Sequence, residues 1–558
     1  MLPIIFLALL KDAKVKSFGF LAESLFLILI VGCSGQKEHE PGSDVLPAEN
    51  WPMAAGPNHN WTAKTYFNVP TVWSVSMGKN VKWKTELPEG GQSGIAVWGN
   101  RLFLTINKPL PEGTPVEQAE GSDIVGMCIN ANTGKIEWTV PIPGSKTMAH
   151  SGLFSDNTSP TPTTDGKYVW FVNAVGMMAC YDFQGNSIWS RPFESRGRHN
   201  AKQCEPILVD GQLLYVMVKD EGDPGRKTAK LPEGANRKSV PDPQMWPWTY
   251  IRSFDASTGK PLWIETSGTS IHNTPSTGYV NGEAVVFRGR GGGHQPPETP
   301  YGFGMSNIQG TKAGSPLWSY SHKNPFTYTV AHFDEQYAYG IADGSLLKFE
   351  STTGKLINKF PLFDSAIIFK WDSLQQKYEA HPGAPFEVIT EKYKPIPTNH
   401  STILVGKYYL FMTHEGHCIG RVDTDTGKAE YLQVPVQVSR NRNQEDLILW
   451  NDHIPSDATN SRGMKTAMDR RAQRDGWGHV TLGSPIAVNE YVFFSTMIGM
   501  TYVVNAQSEI FDGSALVAIN DLGPAGKTWS LSSPSYANGK LYHRGLKYIV
   551  CIENKSTI

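Results

Sequence analysis

The chain lacks the cysteine patterns that mark common redox sites. Its six cysteines include no Cys-x-x-Cys, no haem-attachment Cys-x-x-Cys-His and no adjacent pair. It also lacks a charge of one sign: 51 Lys+Arg stand against 52 Asp+Glu, so no basic footprint for nucleic acid exists and any charged site is local. Extended helical periodicity is nearly absent. Gly289 to Gly293 is no nucleotide fingerprint, because it follows a strand and opens no helix. What is plentiful is Gly, Pro and Trp, at 54, 38 and 16 residues, a composition that favours turns and strands.

The N-terminus reads as a targeting segment. Lys11, Lys14 and Lys16 precede an apolar run from Ser24 to Gly32, too short to span a bilayer. Ile30-Val31-Gly32-Cys33 looks like a bacterial lipobox. That resemblance implies a signal peptide over 1–32, a diacylated Cys33 as first mature residue and a membrane anchor by lipid. Residues 33–50 then form a polar tether, and the protein is expected in the bacterial cell envelope.

From Trp51 to the end the sequence repeats itself. One element is a Gly-Lys-type turn entering a strand: Gly78-Lys79, Thr133-Gly134-Lys135, Gln184-Gly185, Thr258-Gly259-Lys260, Gly314, Thr353-Gly354-Lys355, Thr426-Gly427-Lys428 and Gly526-Lys527. Most are followed by a Trp, as at Trp83, Trp138, Trp189, Trp263, Trp318 and Trp529. Between them lie apolar hairpins with turns such as Asp165-Gly166, Asp210-Gly211, Asn281-Gly282 and Asn538-Gly539. Repetition at this period predicts an all-β, eight-bladed β-propeller over 51–558. The chain ends three strands into its last blade, so Val81 to Leu87 is expected to supply the missing outer strand and close the ring.

These Ser-Pro, Asp-Gly and Thr-Gly-Lys-x-x-Trp signatures resemble the PQQ-like propeller repeat, shared by quinoprotein alcohol dehydrogenases and outer-membrane assembly factor B. The resemblance implies the fold, with the Trp packing between blades. In quinoprotein dehydrogenases it also implies an adjacent-cysteine disulfide and a Glu/Asn/Asp calcium set; the missing Cys-Cys argues against quinone binding here. The assembly factor implies a scaffold lipoprotein with an envelope protein partner.

In such a propeller the connections entering each innermost strand and those between second and third strands emerge on one face. His150, His199, His272, His332, His400 and His479 lie at the first kind of position, and His294, His414 and His417 at the second. Four long insertions, Lys108 to Ser122, Asp220 to Tyr250, Phe360 to His400 and Val436 to His479, choose the same face. Within the last, Gly463 to Asp475 reads as a helix able to cover the channel. Arg196, Arg198, Arg288, Arg290 and the arginines of the last insertion add charge; Trp246, Trp248, Tyr301, Trp450 and Trp477 add stacking surfaces.

A cationic, aromatic mouth suits an anionic carbohydrate or another small anionic ligand, because guanidinium forks match carboxylate geometry. Cleavage by β-elimination needs a base, a proton donor to the leaving oxygen and a cation at the carboxylate. His199, His272, Arg290, His294 and Tyr301 are the candidates for those roles, with His150, Arg198, His332, His400, Trp477 and His479 as ligand contacts. Whether the face only binds or also cleaves in the manner of a polysaccharide lyase is left open. A divalent metal is a further expectation, zinc or manganese, with His414 and His417 as the close pair.

Overall fold

The computed structural model describes residues 49–150, 156–193, 204–218, 249–265, 267–270, 274–292, 298–322, 330–383, 397–398, 402–413, 415–465 and 483–555. Among these the elements are strands and short 3-10 turns, with no α-helix. Eight sheets of four or more strands follow one another along the chain. Their innermost strands are Ala96–Trp98, Thr163–Thr164, Ile207–Val209, Ser276–Val280, His332–Phe333, Thr402–Val405, Ile486–Val488 and Ser535–Ala537, one for each of blades one to eight. The eighth blade is completed by Val81–Glu86, which pairs antiparallel with Tyr548–Glu553. The ring therefore closes as the repeat count predicts, and no blade is left with an unfinished edge at the chain ends.

Turn chemistry fixes the hairpins. Asp210 and Gly211 sit at φ 47° and 72°, Asn281 and Gly282 at 52° and 75°, and Asn538 and Gly539 at 49° and 74°. Two consecutive positive φ values match the right-handed twist of the flanking strands. Blades dock through the repeat tryptophans. Trp138 donates from Nε1 to the Phe183 carbonyl at 3.0 Å, and Trp318 to that of Ser351 at 2.7 Å. A Cβ on Gly354 would meet the Trp318 ring at 2.4 Å, so this glycine answers both a positive φ and a close approach.

Two expectations need correction. Gly526-Lys527 with Trp529 is not the turn into an outer strand. Blade seven enters its outer strand, Leu516–Asp521, through the 3-10 turn Gly513–Ala515, where the Asp512 carboxylate accepts from the Ser514 N–H. Gly526 to Trp529 come later, in the connection to blade eight. The insertion from Phe360 is also not simply a loop of the axial face. Its described part folds into the hairpin Ile367–Asp372 and Lys377–Pro382, which extends the outer edge of blade six by pairing parallel with Ala429–Gln433. Trp371 of this hairpin stacks on Trp450 at 5.3 Å with rings 7° apart. Trp450 is thus a peripheral packing residue rather than a stacking surface at the axis.

The segment after Asn50 does something the repeats do not announce. Trp51 makes a two-bond bridge with Val97 of blade one, and the Pro52 carbonyl accepts from Thr164 of blade two. His59 Nδ1 lies 2.7 Å from Thr277 Oγ1 of blade four, and the Trp61 ring meets His332 of blade five edge-on. Thr62–Ala63 then pairs parallel with the innermost strand of blade seven, and Thr65 Oγ1 accepts from Tyr536 of blade eight. Contacts in chain order follow blade order, so the segment makes one circuit inside the ring. Trp51, Met53, Ala55, Trp61 and Ala63 are all buried. Trp61 holds φ 64°, an unusual value for a bulky side chain, where the chain bends tightly. Several of these contacts, to Val97, Thr164, Val488 and Asn489, reach the ends of the innermost strands nearest their hairpin turns. The segment therefore closes the axial passage on the face opposite the insertions.

Candidate functional site

On the insertion-bearing face, the connection from blade eight to blade one carries Glu89, whose side chain is fully buried. Its carboxylate accepts from the Gly90 N–H at 2.7 Å, from the Ser461 N–H at 3.0 Å and from the Ser461 hydroxyl. His150 Nδ1 stands 4.0 Å away, an ion-pair distance rather than a hydrogen bond. Burial would raise this carboxyl, but His150 first, then the Ser461 hydroxyl and the Ser461 and Gly90 N–H groups, outweigh burial and hold it at about 2. His150 is itself buried, and its backbone N–H donates to the Ala119 carbonyl. Its Nε2 faces Gly121, where a Cβ would come within 2.9 Å.

Ser461 belongs to the long insertion after blade six, which travels over its neighbours. Arg440 donates to Asp521 at 3.1 Å in blade seven. Ser456 donates to the Thr528 carbonyl at 3.0 Å in the connection to blade eight. Arg462 bonds the Leu110 carbonyl in the insertion of blade one. Two of the insertions singled out from sequence thus meet above blades eight and one. Beneath them runs a polar network. Asp156, fully buried, accepts from Asn107 at 3.0 Å and from the Thr158 N–H at 2.9 Å. Arg544 donates from Nη1 to Ser93 Oγ at 3.0 Å and to the Thr105 carbonyl at 2.9 Å.

A second polar cluster lies between blades three and four. Arg288 and Glu265 pair at 2.7 Å with both side chains at 0% exposure. Arg288 also donates to the carbonyls of Gly268 and Gly304 and to Ser267 Oγ, so all three of its nitrogens are engaged and the pair is a structural rivet. Arg290, two residues on, donates from Nε to the Ser267 carbonyl at 2.8 Å. Burial first, and the neighbouring Arg288 charge second, lower its guanidinium to about 10. Tyr301 is buried on the adjacent strand, beside Gly302, which pairs with Arg290 in the ladder. Blade four therefore ends on this face with Arg290 on one strand and Tyr301 on the next, one residue apart in the ladder register.

His332 behaves differently. Its Nε2 engages the Thr402 carbonyl at 2.9 Å, its ring lies between Trp61 and Tyr409, and burial lowers its pKa to about 4. It joins blade five to blade six and to the inner circuit, so it faces packing rather than the mouth. His417 occupies the turn between second and third strands of blade six at φ 50°, and its carbonyl accepts from Val434. Candidates at Cys33, Arg198, His199, His272, His294, His400, His414, Trp477 and His479 lie outside the described residues, as do Trp246, Trp248 and the segment from Gly463 to Asp475 beyond Lys465. Among the described residues no three His, Cys, Asp or Glu side chains converge as a metal site. Cys128, Cys180, Cys204, Cys418 and Cys551 are buried, and no disulfide joins any of them to another described residue.

Sequence reasoning missed Glu89, Asp156, Glu265, Ser461 and Arg544, and it counted Arg288 as a charge of the mouth, whereas Arg288 is locked in its pair with Glu265. Sorting by loop type found histidines, yet the same sorting applied to carboxylates would have found Glu89 and Asp156, which sit in the same connections. Ser461 gave no signal, because its contact spans 372 residues of sequence.

The sheets and the closure by Val81–Glu86 define an eight-bladed β-propeller of the repeat type that the sequence resembles. No protein family profile matches the chain. Over 162 residues it is 23% identical to the outer membrane protein assembly factor BamB of Burkholderia pseudomallei, covering 29% of this chain. The chain spans about a third of that relative, 32% of its length. Similar solved structures include a europium-containing methanol dehydrogenase, with a TM-score of 0.49 and 10% identity over 88% of this chain and 89% of that one. The quinohemoprotein alcohol dehydrogenase ADHIIG of Pseudomonas putida HK5 gives 0.48 and 10% over 92% and 81%. BamB from Moraxella catarrhalis gives 0.34 and 11% over 72% and 95%.

Proposed function

We propose that the protein is an exported, lipid-anchored propeller that binds an anionic carbohydrate on its insertion-bearing face. The observation that carries this reading is the closed opposite mouth. With residues 51 to 65 filling that end, a ligand reaches the axis only from the side where the insertions of blades one and six meet. Arg290 and Tyr301 at the end of blade four support it, as a cation and a hydroxyl on adjacent strands. His199, His272 and His294 belong by sequence to connections of the same face, and would add a base and proton donors if the bound sugar is also cleaved. The pair His414 and His417 would hold zinc or manganese there if a metal is used.

The test is a panel of anionic polysaccharides, read by retention on affinity gels and by absorbance near 235 nm for unsaturated uronates. His272→Ala and His199→Ala should lower retention or turnover; no change in either variant sinks the site assignment. A second reading, a scaffold that docks an envelope protein, is favoured by the sequence match to the assembly factor. It predicts no retention on any polysaccharide and co-purification with an envelope protein from crosslinked cells. Acylation at Cys33 is checked separately, by mass of the mature N-terminal peptide and its loss in Cys33→Ser.

A further inference from the structure

The inner circuit enters and leaves the ring at the same hairpin turn. At its start, the Glu49 carbonyl accepts from Asn538 Nδ2 at 2.9 Å. At its end, Phe67 packs against Gly539, its Cβ within 3.3 Å of where a Cβ there would lie. Beside that turn the chain displays Tyr66 at 89% exposure and Phe67 at 51%, flanked by exposed Lys64. Tyr66 is among the most exposed large apolar side chains of the described residues, and the half-exposed ring of Phe67 adjoins it. Aromatic residues with a neighbouring cation are the residue types that settle at a bilayer interface.

We infer that Lys64, Tyr66 and Phe67 form a membrane-contact patch, which turns the closed face toward the bilayer and the insertion-bearing face away from it. The inference rests on the lipid-anchored reading for its source of proximity. Cys33 precedes Glu49 by sixteen residues, and covalent geometry limits such a span to about 55 Å. An acyl chain at Cys33 therefore keeps the Asn538-Gly539 turn, and with it the aromatic pair, within that reach of the lipid surface. The occupant is the lipid surface itself: two rings beside one cation suit an interface containing anionic headgroups.

The experiment uses the full acylated protein in vesicles of phosphatidylethanolamine and phosphatidylglycerol at three to one. Nitroxide labels are placed at Asn68→Cys beside the patch and at Glu117→Cys on the opposite face, both exposed positions. The native cysteines Cys128, Cys180, Cys204, Cys418 and Cys551 are buried and stay unlabelled. The label at position 68 should collide with oxygen in preference to a water-soluble nickel chelate by about tenfold relative to the label at 117. Adding Tyr66→Ser and Phe67→Ser should abolish that difference. If Cys33 carries its acyl chain and both labels are equally accessible to the chelate, the patch is overturned while the anchor stands. If Cys33 is not acylated but the position-68 label still reports lipid, the patch stands and the anchor reading falls.

Discussion

The two ends of the axial passage are built from different chemistry. The closed end is largely apolar: a buried segment touches six of the blades in order through backbone bonds, tryptophans and a few side-chain hydrogen bonds. The insertion-bearing end is polar, with buried carboxylates and guanidinium groups paired across blade boundaries. Apolar closure draws its strength from removed surface and tight fit. Polar closure gains little net free energy and mainly fixes position, because each pair must offset its own desolvation. The closed end should therefore hold the ring together, and the other end should hold loops in register.

The strongest way to break that comparison is Trp61→Ala. Trp61 is 2% exposed and touches both the blade-five histidine and the blade-seven strand. Removing a buried indole costs about 3–5 kcal/mol, so the variant should melt many degrees below the parent in a thermal scan. A melting temperature within error of the parent would show that the circuit is decoration.

Acid should attack the same end first. An ordinary histidine titrates near 6.5, whereas buried His332 titrates at about 4. Between these values the unfolded chain takes up a proton that the folded protein refuses. Stability is thus intact above pH 6.5 and falls as pH drops toward 4, by roughly 3 kcal/mol in total for this residue. His59, lowered by burial against the opposing effect of Asp210, acts in the same direction. Glu89 has the opposite sign of charge and a different window: its contribution is whole above its unfolded value of 4.5 and is lost as pH falls toward about 2. Urea midpoints from pH 7 to pH 5 should decline, and His332→Gln should flatten that decline.

A smaller effect is expected at the polar end. Glu89→Gln removes the anion that gathers Ser461 and Gly90, at a cost of about 1–3 kcal/mol. The loss should show as faster proteolysis between Ser456 and Lys465 more than as a lower melting temperature. Equal protection in the variant and the parent would mean that the strap over blades seven, eight and one is held elsewhere.

Much of the fold could be read directly because each blade repeats the same local chemistry. Asp210-Gly211 and Asn281-Gly282 announce their turns, and the missing strand of the last blade points to Val81. Departures from the repeat were hidden for physical reasons. Trp529 follows a Gly-Lys pair, and nothing local distinguishes it from a docking tryptophan; only the presence of Leu516–Asp521 upstream assigns that strand elsewhere. The inner circuit has no repeat signature, since its order is set by contacts with blades hundreds of residues away. Of the site, the choice of face was legible for His150, Arg290 and Tyr301 because loop type follows from strand order. His332 was misjudged because position in a connection does not tell which way a ring points, and its partners, Trp61 and Thr402, are distant in sequence.

The smallest effect separates both ends from the rim. Trp450 and Trp371 stack between two inserted hairpins on the outside of the ring, with Tyr378 at 5.2 Å from Trp371. Tyr378 also covers Gly513 of blade seven, where a Cβ would come within 2.3 Å of its ring. It stands in for the docking tryptophan that the outer strand of blade six lacks, since Tyr431 at that position turns inward to the Leu362 carbonyl. A stacked pair of this kind contributes about 0.5–1.5 kcal/mol beyond its buried area. Trp450→Ala should therefore lower the urea midpoint only slightly, while retention on anionic polysaccharide stays at the parent's level. If that retention fell instead, the rim hairpins and not the axial mouth would be where the ligand binds.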